Sequence, residues 1–578
     1  QMLHHQVEPS AAFLLLLGVE DTSVGLTRHA WKLLLRTHPH DDICGCSVDA
    51  DHRKNESDMQ QARESADALR RKFFGLLMER FGANFRDDAR PSFALVNFQA
   101  STRTGPSPVP LDFEGRLVWG DIKLPDAYRI VDERGEPVPF REVRRETSVE
   151  HPHTVANLEL YAPIPAFSVQ RFYVEEVEPD PVNRSAGTAP LEAENDFIHV
   201  RLNPNGGFDL TDKVLGVTRT GMGLFSSQAD VGDSYDFSDI PGEAETVFGR
   251  VSCDLSRREW PGGVVELSAS GEFPIPVSTN SARRLRSAEF ASLPFTITLV
   301  VAPGHPLLEV RLDFANTASD HRLRWNLPTP GAPRTSLAGL KFEVLERPAG
   351  TRPAGDKPPR IFPEHPADAF VAADGLACFS RFPLNYELVS GDTPFPRLAI
   401  TVLRSVSYLC NPVEGATRPG THAGPHTFTP DARCLGRRFS MAFALRHYAA
   451  DHGQSALLQE ALGWRAHPLY GQCDPTMDYP HRTGDDPGAA KLLASAATTG
   501  DEGVVVSAFK PAEDGDGVIL RLHNATGRRR EVCFPIAGKS GTPVRLDETQ
   551  CPRADTGCEC GEIKATIEPF GTASFRIR

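Results

Sequence analysis

The hydrophobic pattern changes its period near residue 90, and this change limits the folds that the chain can adopt. Before it, apolar residues recur at alternating spacings of three and four, which is the stripe that one face of a helix presents to a bundle. This stripe predicts a helix over Asp49–Phe81, about 50 Å long at 1.5 Å per residue, with a stop at Gly82. Its members are Met59, Ala62, Ala66, Leu69, Phe73 and Leu76.

After residue 90, apolar and polar residues alternate, which is the pattern of half-buried strands. Strands that follow one another without intervening helices indicate antiparallel sandwiches rather than βαβ units. The predicted fold class is therefore α+β and multidomain, with an N-terminal helical bundle followed by mainly antiparallel β-sandwich domains. The clearest strand patterns lie at 93–98, 197–202, 295–301, 308–314, 397–409, 437–445, 504–506, 518–522 and 575–578.

A chain of 578 residues is too long for one compact domain, and about 150 residues per domain predicts three or four. We expect a helical bundle over 1–88, a small β domain over 89–180, a large β-sandwich over 181–465 and a C-terminal β-sandwich over 466–578. Three stretches are predicted to be loops, and the last of them is predicted to link the C-terminal sandwich: 328–359, 411–430 and 466–489.

The balance of charges and the cysteines restrict the function class. A formal charge of −14 argues against nucleic acid or an anionic membrane as a partner. No run of 18 apolar residues occurs, and residues 11–19 lack the flanks of a signal peptide. The pairs Cys44/Cys46 and Cys558/Cys560 have a C-x-C spacing that does not favour an ordinary disulfide. We expect a cytoplasmic protein with reduced thiols, and a homo-oligomer is left open.

Two histidines and two carboxylates lie within the five residues from His38 to Asp42. Imidazole and carboxylate side by side suit a divalent cation and also suit sugar hydroxyls. Spacing alone favours a plainer interpretation, a capped surface loop after a helix. The following Ile-Cys-Gly-Cys has the composition of a buried turn and counts against that interpretation. The preceding helix is predicted to start with Thr27 as its N-cap and to use one apolar face: Ala30, Trp31, Leu34 and Leu35.

The stretch from Trp31 through the sequence His-Pro-His-Asp-Asp-Ile-Cys-Gly-Cys-Ser-Val-Asp at 38–49 resembles glycoside hydrolase family 38, the α-mannosidases, especially their bacterial branch. Later segments resemble the same family in the same order: Gly-Asp-Ser-Tyr-Asp-Phe-Ser at 232–238, Asp-His-Arg-Leu-Arg at 320–324, Leu-Arg-Ser-Val at 403–406 and Lys-Pro-Ala-Glu-Asp at 510–514.

The resemblance implies a barrel-like catalytic domain, a helical bundle and large β-sandwiches, among them a super-sandwich of the galactose-mutarotase type. This chain resembles the bundle and the sandwiches. It does not contain the His-x-Asp metal motif of the barrel in a suitable context, nor the region of the aspartate nucleophile. The resemblance therefore implies a chain that lacks the N-terminal catalytic barrel, and no catalytic residue is assigned within it.

The resemblance gives His40 the role of the one zinc ligand that comes from outside the barrel. It gives Asp41 the role of a carboxylate that binds mannose hydroxyls, and it places Tyr235 and Asp233 in a loop that reaches the sugar. One zinc ion is implied, with its other ligands expected from the missing domain.

Other polar residues near these motifs are predicted to have supporting roles. His38 and Asp42 are expected to support the site residues or to cap a helix, and His52 is expected to pack against its helix. Arg322 and Arg324 are expected to form surface salt bridges.

The resemblance implies part of a zinc-dependent retaining α-mannosidase that is inactive alone. Retaining glycosidases need two carboxyl groups about 5–5.5 Å apart, and both are expected in the missing domain. The alternative is a non-catalytic carbohydrate-binding β-sandwich module, for which His40→Ala would leave mannoside affinity unchanged. A different metal hydrolase is disfavoured because no HExxH-type cluster completes the site. The glycosidic linkage and the aglycone are left open.

Overall fold

The structure is a computed structural model, and it describes most of the chain. The predicted stop at Gly82 and most of the predicted loops 411–430 and 466–489 lie outside the described residues. The described residues are 1–81, 91–114, 125, 127–147, 153–178, 184–187, 190–280, 282–350, 364–391, 393–410, 427–473, 503–536, 539–551, 556–559 and 561–578.

The first part of the chain is helical, as predicted. A π-helical turn over Leu3–Val7 leads into four α-helices: α1 (Glu8–Leu16), α2 (Val24–Leu35), α3 (His40–Ile43) and α4 (Asp49–Phe81). The predicted bounds of α4 are confirmed. Most of its stripe is buried, whereas Met59 at the outer end is 44% exposed. Among the described helices, none is long and apolar enough to cross a membrane.

The prediction for α2 was wrong in two details. Thr27 is not the N-cap, because the helix already begins at Val24; instead the Thr27 hydroxyl donates back to the carbonyl of Ser23 (3.3 Å). Leu35 is 54% exposed, while Leu33, which was not in the predicted face, is buried. The helix is rotated so that Ala30 and Leu33 face the core.

Two small sheets form the next unit. Strands β1, β6 and β3 pair in one sheet, and β2, β5 and β4 form the other. Their facing apolar side chains, such as Phe93, Leu158 and Phe172, make a separate core. The strands are β1 (Ser92–Asn97), β2 (Ser107–Glu114), β3 (Tyr128–Asp132), β4 (Phe140–Thr147), β5 (His153–Leu160) and β6 (Ser168–Glu176).

In the large β region, the described residues form twenty strands in three sheets. They are β7 (Arg184–Gly187), β8 (Leu191–Glu194), β9 (Ile198–Leu202), β10 (Phe208–Asp212), β11 (Val217–Met222), β12 (Leu224–Ala229), β13 (Thr246–Val247), β14 (Asp254–Glu259), β15 (Val265–Pro276), β16 (Phe290–Val301), β17 (Leu308–Ala315), β18 (His321–Pro328), β19 (Thr335–Gly339), β20 (Val344–Pro348), β21 (Glu364–Ala367), β22 (Phe370–Ala373), β23 (Leu376–Ser380), β24 (Leu384–Val389), β25 (Arg397–Ser405) and β26 (Arg438–His447).

A ten-stranded sheet has the order β20-β19-β22-β23-β26-β17-β16-β15-β14-β7 and a six-stranded sheet has the order β13-β12-β18-β25-β24-β21. A third sheet has the order β11-β10-β9-β8. One hydrophobic core joins residues of all three sheets. The predicted alternation is confirmed, since Ile297, Leu299, Val310 and Leu312 all point into this core. The α+β class with mainly antiparallel sheets is therefore confirmed.

Two predictions for the connecting segments were wrong, and one helix was not predicted. The stretch 328–359 contains strands β19 and β20 rather than only loop. A helix that was not predicted, α5 (Gln454–Arg465), follows β26 and packs its buried Trp464 against the outer face of the ten-stranded sheet. Strand β27 (Leu469–Cys473), in a stretch predicted as a linker, pairs with β1 of the small sheets.

The last strands form a C-terminal sandwich that shares its core with the helices. Apolar residues of α1, such as Phe13 and Leu14, lie in one cluster with Leu520 and Phe575. The helical bundle is therefore packed onto this sandwich and does not fold around a core of its own. The strands are β28 (Val504–Pro511), β29 (Val518–Asn524), β30 (Arg530–Pro535), β31 (Gly541–Val544), β32 (Thr556–Glu559), β33 (Glu562–Ile567) and β34 (Thr572–Ile577).

Candidate functional site

The His/Asp cluster folds as a short helix rather than as an open loop. Helix α3 starts directly after Pro39, whose carbonyl accepts the backbone N–H of Asp42 (3.0 Å). Gly45 has a positive φ of 76°, a conformation that glycine adopts readily and that ends the helix. The backbone N–H of Cys46 then donates to the carbonyl of Asp41 (2.7 Å). The backbone of the cluster is held at both ends.

The prediction of a buried turn at residues 43–46, after the cluster, is wrong for all but one residue. Ile43 is 62% exposed and Cys44 is exposed, because the short helix directs them outward. Cys46 is 7% exposed, and its Sγ–H donates to the carbonyl of Ser234 at 3.5 Å. Burial, assisted by the neighbouring Cys44 and Asp41, raises the pKa of Cys46 to about 11. Cys46 is thus a neutral thiol that connects the cluster to a distant loop.

That distant loop, residues 230–238 after β12, is held by a buried carboxylate. Asp230 is fully buried, and its Oδ1 accepts the backbone N–H groups of Gly232 (3.0 Å) and Ser238 (3.2 Å). The Nε of Arg404 donates to the other carboxylate oxygen at 2.8 Å. Gly232 is required by the close approach of the chain to itself, since a Cβ there would lie 2.0 Å from the carbonyl oxygen of Asp236.

Within the 230–238 loop, the Asp233 side chain shapes the local turn. Its Oδ1 accepts the backbone N–H groups of Tyr235 (3.0 Å) and Asp236 (3.1 Å). The pKa of Tyr235 is raised, first by burial and then by the nearby charges of Asp41 and other groups. The structure therefore brings together three of the residues singled out from the sequence, Asp41, Asp233 and Tyr235.

Two arginines, the buried Arg283 and the partly buried Arg404, support the same loop, and sequence reasoning did not assign them this role. Arg404 donates from Nη2 to the carbonyl of Asp233 (2.8 Å). Arg283 donates from Nη2 to the carbonyl of Gly232 (3.0 Å) and from Nη1 to the carboxylate of Asp320 (3.0 Å). The motifs at 320–324 and 403–406 thus serve to fix the backbone of the loop. In the sequence, the only sign of this supporting role was that charged residues lie within strands.

The predicted surface location of Arg322 and Arg324 was wrong. Both side chains are almost completely buried, because β18 lies inside its sheet and is covered on both faces. Arg322 pairs with Glu364 (3.0 Å) and Arg324 pairs with Glu387 (2.5 Å), so the expected salt bridges exist but lie in the interior.

Arg324 and Arg397 also surround a further buried carboxylate, Glu245. Burial opposes its ionisation, but these two guanidinium groups outweigh it and hold its pKa at about 2. Glu245 is therefore ionised at neutral pH.

The remaining polar residues of the cluster have local roles. The Ser47 hydroxyl donates to Asp42 (3.0 Å), and the pKa of Asp42 is lowered, chiefly by a hydrogen bond from Asn55. Asp42 therefore fixes the turn between α3 and α4, which agrees with the predicted capping role. His38 is exposed and His52 is half-buried on α4.

The described residues do not contain a complete metal site. The His40 side chain is 92% exposed, and its Nε2 lies 3.5 Å from Oδ1 of Asp41. No group of three or more His, Cys, Asp or Glu side chains in the described part of the chain could hold a metal ion. The imidazole of His40 suits zinc, but the described residues do not supply a full set of four ligands.

Comparison with known proteins shows which family the C-terminal part of the chain resembles. Residues 503–574 match the model of the glycosyl hydrolases family 38 C-terminal beta sandwich domain. The chain is a relative of glycoside hydrolase family 38. The resemblance predicted from the sequence is therefore confirmed.

Among curated proteins, the chain is similar to a "Putative mannosylglycerate hydrolase" from Halalkalibacterium halodurans. It is 25% identical over 555 residues, which cover 86% of this chain and 57% of that protein. The chain thus spans little more than half the length of the relative.

Two solved structures have the same fold along the whole chain. An alpha-mannosidase from Enterococcus faecalis V583 has a TM-score of 0.78 at 20% identity, and the match covers 100% of this chain and 66% of that one. A glycosyl hydrolase family 38 protein from Enterococcus faecalis has a TM-score of 0.75 at 20% identity, covering 100% and 68%.

Proposed function

We propose that this chain forms the bundle and sandwich part of a zinc-dependent retaining α-mannosidase that hydrolyses terminal α-D-mannosides. One observation carries the proposal: the exposed turn with His40 and Asp41 meets the 230–238 loop with Tyr235 at one surface. The family 38 match and the glycosidase names of the relatives support the substrate class.

In this proposal His40 offers its imidazole to zinc, and the chain binds the sugar through Asp41, Asp233 and Tyr235. A bound zinc ion would coordinate the sugar hydroxyls and favour distortion of the sugar ring. The nucleophile, the acid/base carboxyl group and the other zinc ligands are proposed to come from a further domain. The chain by itself is therefore proposed to be inactive.

The alternative function is a non-catalytic carbohydrate-binding module. It is favoured by the incomplete donor set of the described residues around His40. Under this alternative, His40→Ala leaves mannoside affinity unchanged, since sugar binding by a sandwich face does not need the metal ligand.

The first test is the coding sequence upstream of Gln1, which the proposal expects to encode a His-x-Asp motif within a barrel. The second test uses the resulting longer protein and compares His40→Ala with Asp41→Asn. His40→Ala should remove bound zinc, measured by metal analysis, and turnover of an aryl α-mannoside. Asp41→Asn should retain zinc and lower kcat/KM on the order of 10- to 100-fold, through weaker sugar hydrogen bonds. Full activity of the His40→Ala protein would contradict the proposal.

A further inference from the structure

Away from the candidate site, the outer face of the ten-stranded sheet contains a long groove. Two adjoining cavities, of about 880 Å³ and 550 Å³, form it and share a common part of the sheet between β14 and β15. The candidate site is built from a loop of the six-stranded sheet, whereas the residues shared by the two cavities lie on or beside β14 and β15 of the ten-stranded sheet. The shared lining residues are Asp254, Ser270, Gly271 and Glu272.

The floor of the groove is a single row of directly paired residues across five strands. Each member of the row faces the next in the strand register, from β14 through β15, β16 and β17 to β26. Four strand spacings give the row a length of about 19 Å. The row consists of Asp254, Ser270, Thr296, Asp313 and Ser440.

The composition of this row differs from an ordinary solvated sheet face. All five side chains are short and carry a hydroxyl or a carboxylate, whereas long charged side chains usually cover exposed strands. Longer side chains, such as Glu272 and Arg438, line the groove beside the row. Short residues flanked by longer ones leave a trough.

The groove is bounded by other segments of the chain as well as by the longer side chains beside the row. Residues 247–252, which precede β14, line the larger cavity as a wall. On the other side the sheet becomes covered: Thr298, in the next row, is 8% exposed, and Val300 beyond it packs into a small core with Tyr161 and Trp260. The exposed row of five residues therefore lies beside a part of the sheet that is covered by a contact between domains.

The groove has a rich supply of hydrogen-bonding groups without an excess of either charge. The hydroxyls of Ser270 and Thr296 lie 2.9 Å apart, and Arg311 pairs with Asp313 at 3.0 Å. Within the described residues, Asp254 and Arg438 make no ion pair. Three carboxylates, two guanidinium groups and the hydroxyls of the row line the two cavities, which suits a neutral ligand with many hydroxyl groups and does not suit a polyanion.

We infer that this groove binds a neutral sugar chain, several units long, at a site separate from the His40 turn. The ligand class follows from the groove itself, whereas the choice of a mannose-containing probe rests on the proposed function. Such a site would hold a branched or polymeric substrate on the protein while its ends are processed elsewhere.

The test is affinity electrophoresis of the full 578-residue chain in gels that contain soluble α-mannan, with dextran gels as a second probe. Thr296→Lys places a long side chain in the middle of the trough, and Asp313→Asn changes one acceptor without changing its size. Thr220→Lys, at an exposed position on β11, is the matched control for added charge. A thermal melt of each variant checks its fold.

We expect retardation of the wild-type chain by at least one of the polysaccharides. Thr296→Lys should weaken binding on the order of tenfold or more and Asp313→Asn by a smaller factor, while Thr220→Lys binds like the wild type. Binding that is lost in His40→Ala and kept in Thr296→Lys would overturn the groove and place the sugar at the candidate site. Absence of retardation by both polysaccharides would also overturn it, and it would leave the proposed catalytic role untouched.

Discussion

Replacing Asp230 by alanine should release the 230–238 loop. The carboxylate is fully buried and accepts two backbone N–H groups, at 3.0 and 3.2 Å, and the guanidinium of Arg404 at 2.8 Å. Removal of one partner of a buried ion pair costs about 3–5 kcal/mol. We take about 3 kcal/mol, since the Arg404 side chain keeps 20% exposure and can regain some water.

The assay is amide hydrogen exchange, read at the peptide that covers 230–238. About 3 kcal/mol corresponds to exchange on the order of 100-fold faster at Gly232 and Ser238, if their exchange occurs by local opening. Asp230→Asn keeps the oxygen that accepts both N–H groups, so it should show an intermediate rate.

Asp431→Ala is the control, because it removes an ion pair between half-exposed side chains, Arg53 and Asp431, which should contribute about 0–1 kcal/mol. Exchange in the 230–238 peptide that is no faster in Asp230→Ala than in Asp431→Ala would refute the reasoning.

Three further predictions follow from single contacts. Gly232→Ala should disturb the loop, because its Cβ would lie 2.0 Å from a backbone oxygen, and the same exchange peptide should report this. Burial raises the pKa of Glu8 from 4.5 to about 7, although Lys510 and the indole N–H of Trp31 (2.9 Å) oppose the shift. The stability that this carboxyl group contributes is complete below pH 4.5 and is lost as the pH rises through about 7. Trp31 fluorescence should therefore titrate near pH 7, and Glu8→Gln should abolish the transition. Iodoacetamide at pH 8 should modify Cys44 and spare Cys46, whose buried thiol has its pKa raised to about 11; equal labelling in peptide mass spectra would contradict the described link to Ser234.

The hydrophobic pattern of the sequence predicted those elements whose buried residues recur at the period of the helix or strand itself. Helix α4 was predicted to its ends because its stripe is long and its buried face continuous. The alternation of apolar and polar residues was sufficient to predict strands β16 and β17, because each of them has one face in the core. Helix α5 could have been found in the same way, since Leu457, Ala461 and Trp464 recur at helical spacing.

The remaining errors come from partners that are distant in the sequence. Strand β27 is defined by pairing with β1, almost 400 residues away, and nothing local distinguishes it from a linker. Arg322 was expected to form a salt bridge at the surface, but its partner Glu364 lies on another strand in the interior.

For the candidate site, the motif alone identified His40 and Asp41. The contact from Cys46 to Ser234, which joins the cluster to the 230–238 loop, became visible only in the folded chain.

The central claim is that the His40 turn is one part of a metal site whose other ligands come from a further domain. It is tested most directly by hydrolysis of an aryl α-mannoside by the purified 578-residue chain, with and without added zinc. The account predicts no turnover above background in either case. Robust zinc-dependent turnover by this chain would contradict it.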